Sequence, residues 1–131
     1  MNKVIQYASE LKTLNEVEKL VDEITSEFNI SSELYGKVQV SIIEAVNNAI
    51  LHGNKLNAEK MVTLAYDIEE NMMKFIIADE GPGFDFDNVP DPTTPENIEK
   101  PHGRGIFLMR HLCDDIDFRS KGAEVELQFK L

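Results

Sequence analysis

The stretch Glu44-Ala45-Val46-Asn47-Asn48-Ala49-Ile50-Leu51-His52-Gly53-Asn54 decides how the chain is read. Its spacing is helical. Glu44 and Asn48 lie four residues apart and so project from one face. Ile42, Ile43, Val46, Ala49 and Ile50 form an apolar set broad enough for a mostly buried helix. Gly53 and Asn54 supply the expected stop. A carboxylate and a carboxamide raised from a buried helix are costly to desolvate, so this helix must meet something polar. Taken alone, the pair also fits a solvated glutamate and a helix-terminus bond, since E-x-x-x-N is common on helices.

Before this helix, residues 3–8 read as a short edge strand with Val4, Ile5 and Tyr7 as its apolar members. Thr13 and Glu16 form a capping box. Leu14, Val17, Leu20, Val21, Ile24 and Phe28 then keep one helical face apolar to about residue 28. Ser31 or Ser32 caps the second helix, expected over about 33–52. Gly36 inside it costs about 1 kcal/mol relative to alanine and loosens the first turn.

After Asn57 the period changes to 2. Val62, Leu64, Tyr66 and Ile68 alternate with Thr63, Ala65 and Asp67, a strand with one buried face. Glu69-Glu70-Asn71 make a turn, and Met73 to Ala78 give a more continuously apolar strand suited to the sheet centre. Residues 84–102 carry Pro90, Pro92, Pro95 and Pro101 without periodicity; such a length marks a functional lid more often than a connection. A helix over 105–113 follows, with Ile106, Phe107, Met109, Leu112 and Cys113. Ile116 and Phe118 begin a strand, Lys121-Gly122 is the hairpin turn, and Val125, Leu127, Phe129 and Leu131 mark the last strand. This order predicts one α+β domain over residues 1–131. Its helices cover one face of a mixed, mainly antiparallel sheet in a two-layer sandwich.

A chain of 131 residues with formal net charge −11 repels nucleic-acid backbones and anionic membranes, which excludes both as primary partners. It repels free nucleotide as well, so a nucleotide site here must rely on a metal ion, backbone amides and a few placed cations. The single cysteine, Cys113, forbids an internal disulfide and points to a reducing compartment. The first residues are too polar for a signal peptide, and no apolar run approaches ~18 residues. A soluble, cytoplasmic protein is expected.

Two glycine clusters accompany the helix. Asp79-x-Gly81-x-Gly83 ends a strand; a carboxylate there can accept from an exocyclic amine, and the glycines let backbone approach a flat ring. Gly103-Arg104-Gly105 opens a helix, whose first amides bind anions without net positive charge, and Arg104 adds a planar donor fork. Each cluster alone is an ordinary turn. Neither has P-loop spacing nor the G-x-G-x-x-G of a dinucleotide fold. Together with Glu44 and Asn48 they suggest a magnesium ion and the phosphate tail of a nucleotide.

In this order, with a lid between the second and third, E-A-V-N-N-A-I-L-H-G, D-E-G-P-G-F and H-G-R-G-I-F-L-M-R resemble the N, G1 and G2 boxes of the GHKL (Bergerat-fold) ATP-binding superfamily. Within it the likeness is to bacterial anti-sigma factors that are also serine-protein kinases. The resemblance covers essentially the whole chain and implies the histidine-kinase-like ATPase fold, with ATP and Mg2+ as cofactors. It implies that Asn48 ligates Mg2+, Glu44 is the general base toward a substrate serine, and Asp79 bonds the adenine amine. Gly81 and Gly83 would shape the adenine pocket, while Gly103, Arg104 and Gly105 hold the phosphates. The lid is about 84–102. The implied partners are a STAS-type anti-anti-sigma protein and a sigma factor, and the family suggests a homodimer.

Other residues have blander readings. His52 falls within reach of the same site, though such a histidine more often caps its own helix. Lys100 and His102 flank the lid near the phosphates. Cys113 reads as inert core, Asp114 and Asp115 as a solvated cap and turn, and Phe107, Leu108 and Met109 as core rather than cofactor contacts. Two alternatives stand beside the kinase: a nucleotide-dependent binding module without transfer, and a detached ATP-binding half of a phosphorelay kinase. The lack of substrate-histidine helices and a start close to the fold speak against the second.

Overall fold

The alternating patterns of residues 62–68 and 125–131 pair through a central strand. The computed structural model describes residues 3–88 and 103–131. Its strands are β1 (Lys3–Ala8), β2 (Met61–Glu69), β3 (Met72–Ala78), β4 (Asp115–Arg119) and β5 (Glu124–Lys130); its helices are α1 (Thr13–Glu27), α2 (Ser32–Asn48) and α3 (Gly103–Leu112). The sheet order is β1-β2-β3-β5-β4, with β3 at the centre as its apolar sequence suggested. Every pairing is antiparallel, one step simpler than the mixed sheet expected.

Register places the inward side chains in line: Leu64 opposite Ile77, and Phe75 opposite Leu127. Because side chains alternate, this fixes one apolar face. Against it α1 brings Val17, Val21 and Ile24, α2 brings Val38, Ile42 and Val46, and α3 brings Ile106 and Met109, all buried. Helix α2 packs against both α1 and α3. Phe75 and Phe129 meet edge to face at 6.2 Å, an arrangement the ring quadrupoles favour. Each such side chain contributes about 1.5–3 kcal/mol on burial.

Four local expectations are corrected. Thr13 does not cap α1: the cap position is Lys12, without a side-chain bond, and the Thr13 hydroxyl donates to the Ala8 carbonyl at 2.8 Å. It ties the helix start to β1 instead. Ser31 is the cap of α2, accepting from the Leu34 amide. The second helix does not run as α-helix to residue 52. It ends at Asn48 and passes into a π-type turn, Ala49–Gly53, closed by Asn54 N–H to the Ala49 carbonyl at 2.8 Å. The reversal comes from Lys55 and Leu56, both at positive φ, rather than from Gly53. Strand β3 buries alternate residues, leaving Ile76 on the outer face. Among the described residues no helix is long and apolar enough to cross a membrane.

Candidate functional site

The π-turn is wider than an α-turn, and such turns recur at functional sites. Here it ends with His52 and Gly53 on the wall of a cavity of about 80 Å3. Asn48 and Asp79 complete the polar lining, and Ile77, Phe84, Ile106, Met109 and Phe118 are among the apolar residues. A few polar groups on an apolar wall are what orient a small ligand.

Asp79 follows the end of β3. Its N–H donates to the Ala123 carbonyl at 2.9 Å, and its Oδ1 accepts from Gly81 N–H at 2.7 Å. Burial raises its pKa above the ordinary carboxylate value, and the Gly81 bond opposes that shift. Two backbones converge on this carboxylate. A Cβ on Gly53 would stand 2.3 Å from Asp79 Oδ2, and one on Gly81 would stand 2.2 Å from the Gly53 carbonyl oxygen. Gly83 has φ +84° and presses on the Lys121 carbonyl, while Phe84 N–H donates to that same oxygen at 2.9 Å. Gly83 thus docks the loop onto the β4–β5 hairpin and lines the cavity, and Gly81 seats the loop against the π-turn.

Glu44 and Asn48 are half-buried on α2. Both face the first turn of α3: a Cβ on Gly105 would stand 2.9 Å from Glu44 Oε2 and 3.1 Å from Asn48 Nδ2. The Asn48 Nδ2 is buried and has no hydrogen-bond partner among the described residues. Leaving such a group unpaired costs about 1–3 kcal/mol. A half-turn of the carboxamide presents its oxygen instead, a hard neutral donor of the kind Mg2+ accepts. Among the described residues no cluster of three or more His, Cys, Asp or Glu could hold a metal alone. A Mg2+ held at Asn48 would need its other ligands from phosphate and water, which this ion commonly takes.

Of the expected site residues, Glu44, Asn48 and Gly105 come together, and Asp79, Gly81 and Gly83 form the second group. Gly103 begins α3. The side chain of Arg104, the residues Lys100 and His102, and the lid beyond residue 88 lie outside the described residues. His52 lines the cavity, and burial lowers its pKa, which keeps the ring neutral at pH 7. Met109 is core, as the sequence suggested, and also forms part of the cavity wall. Cys113 is partly buried against the core, and burial pushes its thiol up to about 11. Phe86, near the start of the expected lid, is clasped: it stacks on Phe118 at 4.8 Å, and Arg110 Nη2 donates to its carbonyl at 2.7 Å. Asn54, read from sequence as a helix stop, is buried and bonded across the fold. Nothing in the local sequence points to its partner Ser9, 45 residues earlier.

A five-stranded antiparallel sheet under three helices, with an aspartate after a strand facing a Glu/Asn helix across one cavity, defines an ATPase-type α+β sandwich. Residues 7–129 match the histidine kinase-like ATPase domain, and the chain belongs to that family. It is 37% identical to the anti-sigma F factors of Bacillus thuringiensis (strain Al Hakam) and Bacillus mycoides (strain KBAB4) over 84 residues, 62% of this chain and 57% of each relative. The match thus spans less than two thirds of those proteins. The fold is similar to that of the RsbU and RsbW domains of Rv1364c from Mycobacterium tuberculosis (TM-score 0.57, 13% identity, 98% of this chain and 32% of that one). It is also similar to the histidine kinase domain of the Erythrobacter litoralis EL346 blue-light activated histidine kinase (TM-score 0.55, 15% identity, 90% of this chain and 58% of that one).

Proposed function

We propose that this chain binds Mg-ATP and acts as an anti-sigma factor and protein kinase, phosphorylating a serine or threonine of a STAS-type antagonist in a partner switch. The observation that carries the reading is the contact of Gly105 with both Glu44 and Asn48. It brings a carboxylate and a carboxamide whose Nδ2 has no partner among the described residues to the first turn of α3, and Asn48 lines the same cavity as Asp79. The similarity to anti-sigma F factors supports the regulatory role.

In this reading Asn48 holds Mg2+, which neutralises phosphate charge when bound. The first amides of α3 hold phosphate oxygens. Asp79 accepts from the adenine amine. Glu44 takes the proton of the attacking hydroxyl. A second copy, a sigma factor and the antagonist are the proposed partners, with nucleotide state biasing which partner is held.

Titration calorimetry with Mg-ATP tests the binding half: no saturation at millimolar ligand ends the reading. Glu44→Gln tests the chemistry. It should bind Mg-ATP as the parent does and lose transfer by on the order of 10²–10⁴-fold. Undiminished transfer removes Glu44 as the base. A second reading, nucleotide-dependent binding without transfer, draws on the same contact, since Glu44 against Gly105 can serve to seat α3. Recovery of acid-stable phosphoserine on a co-purified partner decides between them, and an acid-labile phosphohistidine would instead indicate a phosphorelay half.

A further inference from the structure

Asn54 sits at the end of the π-turn, 1% exposed, with its whole carboxamide in use. Nδ2 donates to Ser9 Oγ at 2.8 Å and to the Met61 carbonyl at 3.0 Å. Oδ1 accepts from Glu80 N–H at 2.8 Å. Ser9, fully buried, passes the chain on to the Lys60 carbonyl at 2.6 Å. Glu80 returns it, its Oε2 accepting from Met61 N–H at 2.5 Å. Four separate segments meet here: the residue after β1, the end of the π-turn, the start of β2 and the turn after β3.

We infer that Asn54 is a positioning residue for the base subsite, aiming the Asp79 carboxylate by pinning the peptide that follows it; this rests on Asp79 as the base acceptor. The geometry is direct. Asp79 N–H is held by the Ala123 carbonyl, and Glu80 N–H by Asn54 Oδ1. These are the two peptide planes flanking the Asp79 Cα. With both planes held, φ and ψ of Asp79 are fixed and the direction of its Cβ follows. Gly53, next to Asn54, lies against the Asp79 carboxylate, so the same segment sets both its direction and its clearance. Only a carboxamide supplies two donors and an acceptor at this size. Aspartate lacks the donors, and a hydroxyl lacks the second.

The test compares Mg-ATP and Mg-GTP binding, by calorimetry, to the parent, Asn54→Ala and Ser9→Ala at a temperature where all are folded. The parent is expected to prefer ATP. Asn54→Ala should lose about tenfold in ATP affinity with GTP affinity unchanged, so the preference collapses. Ser9→Ala removes a remote anchor but leaves the Asn54–Glu80 bond; it should lower Tm and keep the preference. An Asn54→Ala protein that keeps the parental ratio overturns the inference while the nucleotide reading stands. A parent that binds neither nucleotide overturns both. Should Asn54→Ala not fold, hydrogen exchange on the parent decides. Glu80 N–H protected as strongly as Ile77 N–H supports the clasp, and exchange at the rate of an open turn overturns it.

Discussion

Gly105 in α3 stands face-on to the Glu44 carboxylate in α2, so that an added methyl would lie 2.9 Å from Oε2. The two helices approach this closely because position 105 has no side chain. Helix propensity favours alanine there by about 1 kcal/mol. Gly105→Ala should therefore hold or raise Tm while displacing Glu44 and Asn48. A misplacement of this size lowers transfer by on the order of 10²-fold. Thermal melts and phosphotransfer assays on one preparation check the split; parental transfer would show that the contact is packing only.

Asp79→Asn separates binding from stability. Loss of a charged acceptor should weaken ATP by about 1–3 kcal/mol. The apo fold responds in the opposite sense. Burial raises the folded pKa of Asp79 above 3.8. The folded state then holds the proton more tightly than the unfolded chain, so this group's contribution is most favourable below 3.8 and declines as pH rises through the folded value. The asparagine variant should melt above the parent at pH 7, with the gain shrinking toward pH 4. A constant difference across that range would contradict the buried-carboxylate account.

Arg110 ties the segment around Phe86 to the domain. Its guanidinium donates to the Phe86 carbonyl and lies 5.9 Å from the Phe118 ring centroid. Arg110→Ala should cost about 1 kcal/mol in stability and speed amide exchange at residues 84–87. Unchanged exchange there would mean that the Phe84–Phe86–Phe118 ring contacts hold the segment without it.

Cys113 should be unreactive in the native state. A thiol raised from 9.0 to about 11 has roughly 100-fold less thiolate at a given pH. Alkylation by iodoacetamide at pH 8 should be slower in the folded protein than in urea by at least that factor. Equal rates would place the thiol in solvent.

The architecture was readable because each element announced its own period. The change from 3.6 to 2 after Asn57 marks where helices give way to β2 and β3, and both glycine clusters fall at element ends, where backbone must approach backbone. The errors were at boundaries. Thr13 and Glu16 have the spacing of a capping box, yet Thr13 spends its hydroxyl on Ala8, a tertiary partner that no local pattern encodes. Gly53 looks like a helix stop but is small because Asp79 lies against it.

By itself, then, the sequence determined the element order, the inward faces of β2 and β5 and the placing of Glu44 and Asn48 on one helix face, because these follow from periodicity along a single segment. Only the tertiary structure decided that Gly105 closes on that pair, that the π-turn delivers His52 to the cavity, and that Asn54 joins Ser9 to Glu80. Those relations join residues tens of positions apart. Their physical basis is steric clearance and hydrogen-bond satisfaction, which exist only once the chain has packed.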